Sequence, residues 1–112
     1  MPTLDARRQA AIGDFVDRIR AALGAHIVDL RLFGSVARRE AHPDSDIDIL
    51  LVVEPDDERA TLERRALDIA FDVNLEHDVY ISPRVLASSL IADPVWGQTP
   101  FLKNVRRESV AL

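Results

Sequence analysis

Cysteine is absent from the 112-residue chain, which excludes a disulfide framework and any thiolate metal site. Lysine is nearly absent as well: thirteen of the fourteen cationic side chains are arginine, and Lys103 is the exception. No apolar run approaches the ~20 residues of a membrane span. The opening MPTLDARRQA has no apolar stretch of the signal-peptide kind, so the expected compartment is the cytoplasm. No repeat, low-complexity tract or Pro/Gly/Ser-rich linker divides the chain. Acidic residues outnumber basic ones 19 to 14, a net charge of −5, which counts against non-specific coating of nucleic acid.

What remains is ordinary globular material, 47% apolar and 29% charged, enough for one core and therefore one domain expected over residues 1–112. Ile12, Phe15, Val16, Ile19 and Leu23 recur at helical spacing and predict a helix from Leu4 to Leu23, stopped at Gly24. Ile27 to Phe33 reads as a strand with Asp29 and Arg31 on one face and Val28, Leu30 and Leu32 on the other. Val36 to Glu40 has length for only a turn or so of helix, and A-H-P-D-S at 41–45 is turn chemistry. Asp46 to Val53 is a second strand, and its continuous apolar half suits burial on both faces. A helix is expected from Pro55 to about Phe71 or Val73, on the spacing of Leu62, Ala66, Ile69, Ala70 and Val73. Asp78 to Ile81 reads as a third strand. Ser82-Pro83 reads as an N-cap followed by proline, opening a helix through Leu90. Thr99-Pro100 repeats that signal for a last helix over Phe101–Arg107. The order predicts an α/β fold, a small mixed β-sheet flanked by helices, with Trp96 and Phe101 in the core.

The chemistry gathers in G-S-V-A-R-R-E-A-H-P-D-S-D-I-D-I-L-L-V, residues 34–52. Residues two apart on a strand share a face, so Asp46 and Asp48 project side by side within ~7 Å. Two such carboxylates repel unless a cation lies between them, and an all-oxygen site suits Mg²⁺ or Mn²⁺. Gly34-Ser35, at the junction of a strand and a helical turn, offers free N–H groups and a hydroxyl to phosphate oxygens. Ten residues separate Ser35 from Asp46. His26, His42 and His77 are scattered without zinc-like spacing, and the Arg64-Arg65 and Arg106-Arg107 pairs suit solvated faces.

The pattern G-S-x10-D-x-D before an apolar strand resembles the signature of the minimal nucleotidyltransferases of the DNA polymerase β superfamily. G-S-x-A-R, S-D-x-D-x-x-V and the terminal P-F-L-K-N-V-R-R-E extend the likeness over most of the chain. The resemblance implies a polymerase-β-like fold and Mg²⁺-dependent transfer of AMP from ATP. It makes Asp46, Asp48 and a third carboxylate, Asp78, the catalytic and metal-binding acids, with Glu76 as the alternative third acid. Gly34, Ser35 and Arg38 would bind the nucleotide, although Arg38 could instead pair with Glu40. Where the family usually carries glycine this chain has Arg39, so the backbone there is helical or the donor pocket altered. The implied acceptor is a tyrosine of a cognate HEPN ribonuclease toxin, making the chain the antitoxin of a type VII-like pair. Two other roles stay open at this point: a non-catalytic antitoxin that acts by binding, and transfer to a small molecule or an RNA end.

Overall fold

The computed structural model describes residues 6–34 and 46–112. Helix α1 (Ala6–Leu23) buries Ala11, Ile12, Phe15, Ile19 and Leu23 along one face and runs into a 3₁₀ turn at Gly24–His26. Strand β1 (Ile27–Phe33) leads, after the segment left undescribed, to β2 (Ile47–Val53). A 3₁₀ turn at Asp56–Glu58 opens α2 (Arg59–His77), followed by β3 (Ile81–Ala87) and the short α3 (Ser88–Ala92). Helix α4 (Pro100–Glu108) starts as the sequence predicts: Thr99 caps it by accepting from the Leu102 N–H, and proline takes the first position. A two-residue strand, β4 (Val110–Ala111), completes the sheet.

The sheet is mixed, in the order β3-β2-β1-β4, with β2 and β3 parallel and the other pairs antiparallel. Parallel neighbours need a crossover, and α2 supplies it. The odd-numbered residues Ile47, Ile49, Leu51 and Val53 face the main core, with Leu30, Leu32, Ile81 and Val85 beside them. Phe15 and Ile19 of α1 and Leu62, Ala66, Ala70 and Val73 of α2 cover that face. Each fully buried Ile or Phe is worth roughly 1.5–3 kcal/mol in transfer free energy, so this layer supplies most of the cohesion. On the opposite face Leu50 and Val52 meet Val105 of α4, with Phe33, Leu86, Ile91 and Phe101 packed around them.

Several local expectations are corrected. Val28 is half exposed rather than in line with Leu30 and Leu32, because the β1–β2 register shifts between Ile27 and Asp29. One extra residue turns a side chain to the other face. Helix α2 runs a turn further than predicted, to His77, so residues 78–80 are not strand and β3 begins only at Ile81. Ser82-Pro83 does not start a helix: 82–87 is strand, and helix resumes at Ser88. Ile81 and Val85 bury on the core face, and that burial outweighs the capping signal. Proline is tolerated because β3 is an edge strand, where a missing N–H can face away from the ladder. Trp96 is exposed in a 3₁₀ turn, while Phe101 is half-buried. Arg65 and Arg106 do more than solvate a face: Arg65 donates to the Ala22 carbonyl, and Arg106 to those of Gly97 and Ile91. The turn expected at residues 36–45 lies outside the described residues. Among those described, no helix is long and apolar enough to cross a membrane.

Candidate active site

The end of β1 and the starts of β2 and β3 meet at one edge of the sheet. Asp48 pairs in register with Phe33 on β1 and Ser82 on β3. Leu50 and Val52 lie on the α4 side, and the two-residue period places Asp48 on that same side. It is half-buried, whereas Asp46, just before the strand, is exposed. Of the two predicted acids, Asp48 thus lies among the first side chains of a central strand and Asp46 immediately before it. Ser82 adds a hydroxyl across the ladder.

Gly34 closes the site from the β1 side. Its φ is +78°, a region that favours glycine. A Cβ built there would lie 3.2 Å from Cγ of Asp48 and closer still to its Oδ2. The close approach, and not only the turn, demands glycine. Ser35 and Arg38, the other predicted nucleotide contacts, and Arg39 lie outside the described residues.

The third predicted acid sits differently from the strand position expected for it. Asp78 caps α2 in the left-handed conformation (φ 53°, ψ 52°), its N–H bonded to the Asn74 carbonyl. Its carboxylate is almost wholly exposed and ion-paired at 3.2 Å with Arg7 of α1. The β3 residue in register with Asp48 is Ser82, and Tyr80, before the strand, accepts from the Ile47 N–H at 2.8 Å. Neither carries a carboxylate. Glu76, the alternative, turns to α1 and pairs with Arg18.

Sequence reasoning missed Asn74. Its side chain accepts from the Ile81 N–H at 2.7 Å and donates to the Ile81 carbonyl at 3.2 Å. Asn74 thus stands in for a neighbouring strand and fixes where β3 begins beside β2. Periodicity could not reveal this, since a half-buried Asn near a helix end reads as an ordinary polar position.

Oxygen donors such as the carboxylates of Asp46 and Asp48 are the kind that suits Mg²⁺ or Mn²⁺. A second group of ligand-type side chains, Asp14, Glu76 and His77, gathers between α1 and α2, with their ligand atoms within 4.8 Å of one another. It does not fit a metal as it stands, because Arg18 already donates to both Asp14 and Glu76. His77 Nε2 lies 2.9 Å from Asp14 Oδ2. That hydrogen bond, helped by Arg18 and opposed by burial, holds the Asp14 carboxyl below its usual range, and the two carboxylates hold Arg18 above its own.

The sequence profile of the nucleotidyltransferase domain matches residues 13–106, which include Gly34, Asp46, Asp48 and Asp78. No curated protein matches in sequence. Among solved structures, a protein assigned as a minimal nucleotidyltransferase aligns at 27% identity and TM-score 0.53, over 96% of this chain and 90% of its own. A chain of a toxin–antitoxin complex with AMP-PNP aligns at 16% identity and TM-score 0.55, over 87% of this chain and 68% of its own. At that identity the second likeness concerns the fold alone.

Proposed function

The chain belongs to the nucleotidyltransferase domain family, and from that premise we propose that Asp46 and Asp48 carry Mg²⁺-dependent transfer of AMP from ATP to a protein hydroxyl. The observation that carries this reading is Gly34 packed directly against Asp48, which stands two residues after Asp46 at the start of β2. In the reaction the acceptor oxygen bonds to the α-phosphorus. The α–β bridging P–O bond breaks, pyrophosphate leaves with the electron pair, and the acceptor's proton passes to a carboxylate. A divalent cation held by Asp46 and Asp48 would neutralise charge on the attacking and leaving oxygens. Gly34 lets β1 approach the Asp48 carboxylate closely, and Gly34, Ser35 and Arg38 are assigned to the triphosphate. Asp78 is assigned as the third acid and proton acceptor, a role that requires it to leave Arg7.

The acceptor in this reading is a tyrosine of a cognate HEPN ribonuclease toxin, and the chain is the antitoxin in the cytoplasm. The fold shared with a chain of a toxin–antitoxin complex supports it. So does α2, whose Leu67, Phe71 and Leu75, at i, i+4 and i+8, form an exposed apolar stripe suited to a protein surface. The test is co-expression with the neighbouring toxin: neutralisation should coincide with a mass gain of AMP on the toxin, and Asp48→Ala should abolish both.

A second reading has its own support. No carboxylate stands opposite Asp48 on β3, and Asp78 is engaged with Arg7, which suits an antitoxin that neutralises by binding. Under it Asp48→Ala would leave neutralisation intact and the toxin unmodified.

A further inference from the structure

Tyr80 is the chain's only tyrosine, 62% exposed, and it is bonded through its backbone to Ile47, the residue between the two acids of β2. We propose that the chain adenylylates itself: without a partner present, Tyr80 accepts one AMP in cis. The inference rests on the nucleotidyl-transfer reading above and names a second acceptor for the same site.

The backbone fixes the position. The Tyr80 carbonyl accepts from the Ile47 N–H at 2.8 Å. Next in the chain, Ile81 pairs in register with Ile47, and both face the main core. Side chains alternate along extended backbone, so Tyr80 and Ser82, which flank Ile81, turn to the other side, that of Asp48. Neighbouring strands lie about 4.8 Å apart, a gap shorter than a tyrosine side chain.

The backbone is anchored while the phenol is not. The Val79 N–H donates to the Asn74 carbonyl at 3.3 Å and the Ile81 N–H to the Asn74 side chain at 2.7 Å, so α2 holds the chain on both sides of Tyr80. Among the described residues no hydrogen bond ties down the phenol hydroxyl, and the exposed ring can turn between rotamers. Holding an acceptor beside the site removes the encounter step and raises its effective concentration far above that of a free solute. Ser82 is the other hydroxyl there, but it is half-buried and fixed in the β2–β3 ladder.

The step balances as it does for any acceptor. The Tyr80 oxygen bonds to the α-phosphorus of ATP and the α–β bridging P–O bond breaks. Pyrophosphate leaves with the electron pair, and the phenol proton passes to a carboxylate of the site. With no second tyrosine in the chain, the reaction stops at one AMP per chain.

The experiment incubates the full chain with Mg²⁺ and saturating ATP labelled at the α-phosphate, first alone and then with the partner toxin. Wild type, Tyr80→Phe and Asp48→Ala are compared by intact mass and peptide mapping, with circular dichroism confirming that each is folded. Wild type alone should gain one AMP on Tyr80, with a half-time independent of chain concentration, and both variants should fall to background. Label on Ser82 or any other residue, label persisting in Tyr80→Phe, or a half-time that lengthens on dilution would overturn the proposal. Wild type that labels the toxin and never itself would also overturn it, leaving the transfer reading standing. Wild type that labels neither would overturn both.

Discussion

Gly34 and Asp48 compete for one space: the position a Cβ would take on the glycine is filled by the aspartate's carboxylate. Gly34→Ala should therefore damage the site before the fold. Adopting φ +78° costs an alanine about 1–2 kcal/mol, and the Asp48 carboxylate must also swing away. Nucleotide binding should fall by at least about tenfold, the equivalent of 1.4 kcal/mol, while the circular dichroism spectrum stays that of the folded chain.

Asp46 and Asp48 should prove far more important to turnover than to stability. Asn at either position keeps the size and loses the charge. We expect the transfer rate to fall on the order of a hundredfold or more, the scale of removing one group that stabilises the transition state. The melting temperature should hold or rise, since relieving two adjacent carboxylates removes repulsion. A steady-state assay beside a thermal melt checks both.

Asn74→Ala should behave in the opposite way. It leaves both backbone groups of Ile81 without their side-chain partners, at a cost of about 1–3 kcal/mol. Because Asn74 sets the start of β3 beside Asp48, activity should fall with stability. Hydrogen exchange at the Ile81 amide should accelerate.

The α1–α2 network predicts a pH dependence. The bond with His77 holds the Asp14 carboxyl below its ordinary value, so its contribution is complete above about pH 4 and fades as pH falls through the lowered value. Asp14→Asn should cost about 0.5–1 kcal/mol at pH 7, as for a largely surface pair. The gap between variant and wild type should close toward pH 2 in denaturant titrations.

Phe71→Glu, in the middle of the exposed stripe on α2, should leave the melting temperature within about 2 °C, because exposed substitutions seldom exceed 0.5 kcal/mol. It should nevertheless abolish co-purification of the partner toxin. Retained co-purification would move the interface elsewhere.

Much of this architecture was legible in the residues. Ile27–Phe33 appears as the strand its pattern predicts, the apolar run after Asp48 is buried on both faces, and Thr99-Pro100 caps the last helix. The resemblance carried by Gly34-Ser35, Asp46 and Asp48 also agrees with the nucleotidyltransferase profile that matches residues 13–106. Ser82-Pro83 misled because a local capping preference of about 1 kcal/mol competes with non-local burial of Ile81 and Val85, which only the finished sheet defines. The same tertiary effect shifted β3 three residues along and left Asp78 at a helix end. The pair of hydrogen bonds between Asn74 and Ile81 carries no local signature at all.

The most direct test follows the α-phosphate. ATP labelled at that position is incubated with Mg²⁺, the chain and its partner toxin, and the toxin is recovered and counted, for wild type and for Asp48→Ala. The account predicts label on a toxin tyrosine with wild type and background counts with the variant. Equal labelling by both proteins would contradict it.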